Sequence, residues 1–189
     1  MYHVRVEPGV RVGVYDLNQQ GKNAVFFIHG WPIDHNMFEY QFNILPQNGY
    51  RCISMDLRGF GKSDAPWTGY TYDRMADDVY EVIKTLNVPR LTLVGFSMGG
   101  AIAIRYMARH RGYKVSKLAL WSAAAPSFTR RPDYPYGMTA DQICPFEFAL
   151  EMNQGIRNSQ IYKFDKSGHG AFYDQMEKFT QEFSGFLRQ

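Results

Sequence analysis

The stretch Leu91-Thr92-Leu93-Val94-Gly95-Phe96-Ser97-Met98-Gly99-Gly100-Ala101-Ile102-Ala103-Ile104 constrains this chain more than any other. An apolar, β-branched run enters Gly-x-Ser-x-Gly and an apolar helical pattern leaves it, which predicts strand, sharp turn and helix. A serine on so tight a turn is strained, and Cβ atoms at the flanking positions would collide with neighbouring backbone. Gly95 and Gly99 carry none. The helix that follows aims its N-terminus, with free N–H groups and positive potential, at the serine hydroxyl. Five such residues also fit a glycine-rich turn with an incidental serine. Strand before and helix after favour a nucleophile at Ser97.

The rest of the chain supplies a matching framework. Residues 2–7 and 10–17 alternate in the manner of two antiparallel strands split by Pro8-Gly9. Ala24 to Ile28 and Tyr50 to Met55 are apolar runs of the kind buried on both faces of a sheet. Helical spacing runs from Met37 to Leu45, and again from Tyr72 to Leu86 on Met75, Val79, Val82, Ile83 and Leu86. After the helix over 98–110 comes a strand from Lys117 to Trp121. Further on, the pattern predicts a helix from Pro145 to Gln154, a short strand over 159–164, and a closing helix from Phe172 to Leu187. Strands alternating with helices predict an α/β fold with a mostly parallel, doubly wound sheet and helices on both faces. Sites in such sheets lie at the carboxyl ends of the strands, where His29, Asp56 and Ser97 fall.

At 189 residues, one domain over 1–189 with its own core is expected, and 45% hydrophobic content excludes disorder. The net charge of +3 is scattered, and a solvated loop accounts for Arg130-Arg131, so no nucleic-acid partner is expected. Cys52 and Cys144 form no disulfide framework, and Cys52 reads as a small core residue. Without a signal-peptide pattern or an apolar run of membrane-spanning length, a cytoplasmic protein with no membrane partner is expected. No ligand set has metal spacing, so neither metal nor cofactor is expected.

A serine needs a base, and histidine suits that task near neutral pH. His29, beside Gly30 at a strand end, fits a loop-shaping role, and His110 fits a surface residue or a partner for a helix C-terminus. His169, between Gly168 and Gly170 after the last predicted strand, satisfies the order serine, acid, histidine. Acids between the two are Asp133, Asp141, Glu147, Glu151 and Asp165. Asp165 lies too near His169 in sequence to turn back to its ring, and Asp133 stands among prolines. Asp141 suits the role of orienting acid, the alternative being a cap for the helix at 145. An oxyanion hole needs two backbone donors. Met98, after the serine, offers one, and the loop His29-Gly30-Trp31-Pro32 offers the other at Trp31, since Pro32 has no N–H. Trp31 equally suits a wall of the acyl pocket. Asp56-Leu57-Arg58-Gly59-Phe60-Gly61-Lys62-Ser63 reads as a structural tie between loops, without a catalytic role.

His29-Gly30-Trp31-Pro32, the Asp56–Ser63 loop, Gly95-Phe96-Ser97-Met98-Gly99-Gly100 and Gly168-His169-Gly170 together resemble the α/β-hydrolase superfamily. The chain is most similar to the bacterial serine esterases and perhydrolases once called cofactor-free haloperoxidases. The resemblance covers residues 1–135 and about 141–189. It implies a triad of Ser97, His169 and Asp141, an oxyanion hole from Trp31 and Met98, and hydrolysis of small carboxylic esters through an acyl-enzyme. Serine at the elbow separates the chain from dehalogenases and epoxide hydrolases, which are similar but use aspartate there. One departure stands out. The family places a helical cap after the sixth strand and a seventh strand ending at the acid. Here 20 positions separate Trp121 from Asp141, and Tyr134 to Thr139 makes no convincing strand. A missing cap, a lost seventh strand and an exposed sheet edge that favours a homodimer are therefore expected. The contrasting expectation is an impaired hydrolase scaffold that serves as a binding module.

Overall fold

The computed structural model describes residues 1–124, 144 and 146–189. They form two units, Met1–Leu120 and Trp121–Gln189. The sheet strands are β1 (Tyr2–Glu7), β2 (Val10–Leu17), β3 (Asn23–Ile28), β4 (Tyr50–Met55), β5 (Leu91–Phe96) and β6 (Val115–Trp121), the last residue of β6 opening the second unit. Their order is β1-β2-β4-β3-β5-β6. β3 runs parallel to β4 and β5, while β2 is antiparallel to both β1 and β4. Gly9, at φ 80°, takes the left-handed corner of the β1–β2 turn, where a side chain would be strained.

Register decides where chemistry can collect. Ile28 pairs with Met55 on one side and with Gly95 on the other. The exits of β3, β4 and β5 therefore stand side by side, and His29, Asp56 and Ser97 leave the sheet at one edge. Ala24 to Ile28 are all buried, as the unbroken apolar run predicts for a strand covered on both faces. One face packs Phe26, Ile28, Ile53 and Leu93 against Val79, Val82 and Ile83 of α2 (Tyr72–Thr85) and Ile102 of α3 (Met98–Arg109). On the opposite face the Phe27 ring lies 4.9 Å from that of Phe38. The helical segment expected from Met37 divides into a 3-10 turn at His35–Phe38, α1 (Glu39–Ile44) and a second 3-10 turn at Pro46–Asn48. Gly49, at φ 82°, ends it. Thr71 caps α2 by accepting the Arg74 N–H at 3.2 Å.

The second unit holds α4 (Phe146–Gly155), α5 (Ala171–Asp174) and α6 (Met176–Arg188). Its core is aromatic: the Trp121 ring meets Phe179 at 4.7 Å and Phe183 at 5.0 Å, both edge-on. Two expectations fail here. Residues 159–164 form no strand, because among the described residues nothing pairs with them, and a lone strand has no ladder to stabilise it. Ser159 instead turns back, its Oγ donating to the Ile156 carbonyl at 2.7 Å. The closing helix is not continuous either; Gln175, at φ −128° and ψ 52°, separates α5 from α6. Among the described residues the sheet has six strands. The expectations for the cap and seventh strand, and for Asp141, fall on residues outside those described.

Candidate active site

Ser97 stands between β5 and α3 at φ 53° and ψ −118°. A non-glycine residue holds so unfavourable a backbone only where its surroundings over-determine it. Here they do. A Cβ on Gly95 would run into the Gly99 carbonyl oxygen, and one on Gly99 into the carbonyl oxygens of Ile28 and His29. Strand, turn and helix thus touch backbone to backbone. The Ser97 carbonyl accepts the Gly100 N–H at 2.9 Å, closing the first turn of α3. Met98, the first residue of that helix, has an N–H for which the helix supplies no acceptor.

The loop after β3 lies directly against this turn. A Cβ at Gly30 would stand 3.0 Å from both Ser97 Cβ and Phe96 Cδ1, tighter than an ordinary contact, so glycine lets the loop approach without crowding either side chain. Trp31, joined to Pro32 by a cis peptide bond, follows with its ring exposed. His29 is fully buried and bonded at both nitrogens. Nδ1 meets the Gly30 carbonyl at 2.8 Å, and Nε2 accepts the Leu57 N–H at 2.9 Å. Those partners assign the neutral Nδ1–H tautomer, and burial pushes the imidazole below its ordinary pKa. His29 therefore ties the exit of β3 to the exit of β4, the loop-shaping role expected for it.

Asp56 secures the far end of the same loop. Its Oδ1 accepts the His35 N–H at 3.0 Å and His35 Nδ1–H at 2.9 Å; its Oδ2 accepts Tyr15 Oη–H at 3.0 Å and the Lys62 N–H at 2.8 Å. Burial opposes the charge of Asp56, but the Lys62 and His35 donors prevail and hold the carboxyl below its usual range. Asp34, His35 and Asp56 bring three possible ligand atoms within 4.8 Å of one another, a grouping that sequence spacing does not reveal. The Asp56 oxygens already receive four donors, and Asp34 Oδ1 takes the Asn36 N–H at 2.9 Å. The cluster is therefore an anchor for the loop rather than a cation site. Arg58, also fully buried, forms a two-pronged pair with Asp78 at 2.6 and 2.8 Å and reaches Glu7 at 3.0 Å. The Asp56–Ser63 segment is the structural tie that its residues suggest.

His169 lies in the second unit, half-buried in the loop before α5. His110, the remaining competitor, ends α3, with Nε2 2.8 Å from Asp77 and its ring stacked on Tyr80. Sequence reasoning missed Asp174 and Gln175. Gln175 Oε1 accepts the Lys166 N–H at 3.0 Å and Ser167 Oγ–H at 3.1 Å, and Asp174 Oδ2 accepts the Gly168 N–H at 3.0 Å. Their only signal in the sequence is proximity to His169.

A strained serine on a strand–turn–helix elbow, with the loop after β3 against it, fits one family model, that of the alpha/beta hydrolase fold, which matches residues 23–160. The chain belongs to the α/β-hydrolase fold family. This hydrolase chain is 38% identical to the AB hydrolase superfamily protein YisY of Bacillus subtilis, over 98% of both chains. That alignment is 265 positions long against 189 residues, so part of the relative has no counterpart here. The bifunctional esterase/perhydrolase DCH of Acinetobacter calcoaceticus is 33% identical over 92% of this chain, which spans only 60% of that enzyme's length. Among solved structures, the esterase EaEST from Exiguobacterium antarcticum superposes with a TM-score of 0.91 at 35% identity, over 99% of each chain. Among the described residues of the hydrolase, no helix is long and apolar enough to cross a membrane.

Proposed function

We propose that this chain is a serine esterase that cleaves small carboxylic esters through an acyl-enzyme, its two units acting as one hydrolase domain. Ser97 Oγ attacks the ester carbonyl while His169 takes its proton. Asp141 orients the imidazole and stabilises its cation. The Met98 and Trp31 N–H groups receive the developing oxyanion. His169 then returns the proton to the leaving alcohol, and water, activated by the same imidazole, releases the acid. Hydrogen peroxide in place of that water gives a peracid from the same intermediate, the perhydrolase variant named for one relative.

The observation that carries this reading is the backbone of Ser97, at φ 53° and ψ −118°, with Gly30 packed against it. A strained serine is costly to keep, and an oxyanion loop at its side supplies a use for it. The test is p-nitrophenyl acetate hydrolysis by wild type, Ser97→Ala and Asp141→Asn, with a fluorophosphonate probe mapped by mass spectrometry. Loss of turnover in both variants and a label on Ser97 are expected. Wild-type turnover no faster than that of Ser97→Ala, with no label, would leave an inactive scaffold or binding module.

A further inference from the structure

The break in the C-terminal helix has no local cause in the chain, since neither proline nor glycine stands at Gln175. Breaking a helix forfeits backbone hydrogen bonds, and something must offset that loss. What the break releases is a pair of side chains. Gln175 Oε1 takes the Lys166 N–H and the Ser167 hydroxyl, and Asp174 Oδ2 takes the Gly168 N–H. Three consecutive residues ending one short of His169 are thus held by two consecutive residues at the break. On the other side, the Gly170 carbonyl accepts the Tyr173 N–H at 2.8 Å and the Asp174 N–H at 3.0 Å, so the residue after His169 caps α5.

Gly168 and Gly170 would otherwise give this loop the widest backbone freedom available to a chain. A general base must be held within a fraction of an ångström of its working position. We propose that Asp174 and Gln175 are positioning residues for His169, clamping residues 166–168 so that the imidazole is presented in one place. The proposal rests on His169 acting as the base of the esterase reading.

The clamp works through acceptor oxygens, so the variants separate acceptor from charge. Asp174→Ala and Gln175→Met remove an acceptor, whereas Asp174→Asn keeps one and removes only the charge. With p-nitrophenyl acetate and active sites titrated by burst amplitude, each loss variant is expected to lower kcat by about tenfold to a hundredfold. KM should stay within about twofold of wild type, and Asp174→Asn should recover most of the loss. Thermal melts of all three identify any variant that merely unfolds, and rates per titrated site remove its effect. Wild-type kcat in both loss variants, with Ser97→Ala and His169→Ala inactive, overturns the positioning role alone. A loss in Asp174→Asn equal to that in Asp174→Ala also overturns it, because charge rather than the acceptor would then matter. Full turnover in Ser97→Ala or His169→Ala sinks the esterase reading itself, and the positioning role with it.

Discussion

Around Ser97 the constraint is steric and lies mainly in the backbone: a carbon added at Gly95 or Gly99 would strike carbonyl oxygens, and one at Gly30 would crowd the serine side chain. Around His169 the constraint is a set of hydrogen bonds from side chains to a loop, made by Gln175 and Asp174. The first arrangement admits one residue type at two positions, Gly95 and Gly99, and crowds any other at Gly30. The second would accept any side chain that brings an oxygen to the same place. Steric exclusion leaves a motif in the sequence, and acceptor placement does not.

The largest expected effect asks whether the first unit depends on its glycines alone. Arg58→Met would strip buried Asp78 of its two-pronged partner and leave it Arg74 alone, 3.0 Å away, a change that costs about 3 kcal/mol. On the order of 10 °C should be lost from Tm in a calorimetric scan; a shift below 2 °C would show that the pair is not needed to hold the loop. Next is Gly99→Ala, whose Cβ meets the carbonyl oxygens of Ile28 and His29. Urea melts should show a loss of about 1–3 kcal/mol, and an unchanged midpoint would end the steric account of the elbow.

The third prediction concerns pH. His29 has its pKa lowered by burial, with Asp56 and Asp34 acting to raise it and His35 to lower it. The folded protein therefore keeps His29 neutral, while the unfolded chain takes up a proton below 6.5, the ordinary value. The contribution is fully present above that pH and is lost as pH falls, with a limiting slope of about 1.4 kcal/mol per pH unit. His29→Gln, which can still accept from Leu57, should flatten the stability profile between pH 6.5 and 5 in urea titrations. A wild-type profile already flat there would rule the linkage out. The smallest effect carries the opposite sign. Nothing lies within 4 Å of a Cβ built on Gly185 in α6, so Gly185→Ala should raise stability by about 0.4–1 kcal/mol. A loss at Gly185 would erase the contrast between the two units.

The same contrast explains what could be read beforehand. The alternating runs at 2–7 and 10–17 and the apolar runs at β3, β4 and β5 place strands correctly, because burial on one face imposes alternation and burial on both imposes an unbroken apolar run. The strand order and the meeting of His29 with Leu57 follow from long-range pairing, which periodicity does not encode. The segment 159–164 has strand-like composition, yet a strand requires a partner, and composition says nothing about one. The unbroken helix from Phe172 followed from the spacing of its phenylalanines. That spacing does fit the Trp121 cluster, but it is blind to Gln175, whose side chain is needed elsewhere.

Cys52 is fully enclosed in β4 between β2 and β3, and burial pushes its thiol up to about 12. Cys144, in the second unit, is buried as well, and neither forms a disulfide. A thiolate must form and meet solvent before a disulfide reagent can react with it. The chain thus carries one silent reporter in each unit. Timed modification, read by mass at each cysteine, would clock the opening of the sheet and of the C-terminal unit separately, with no label introduced.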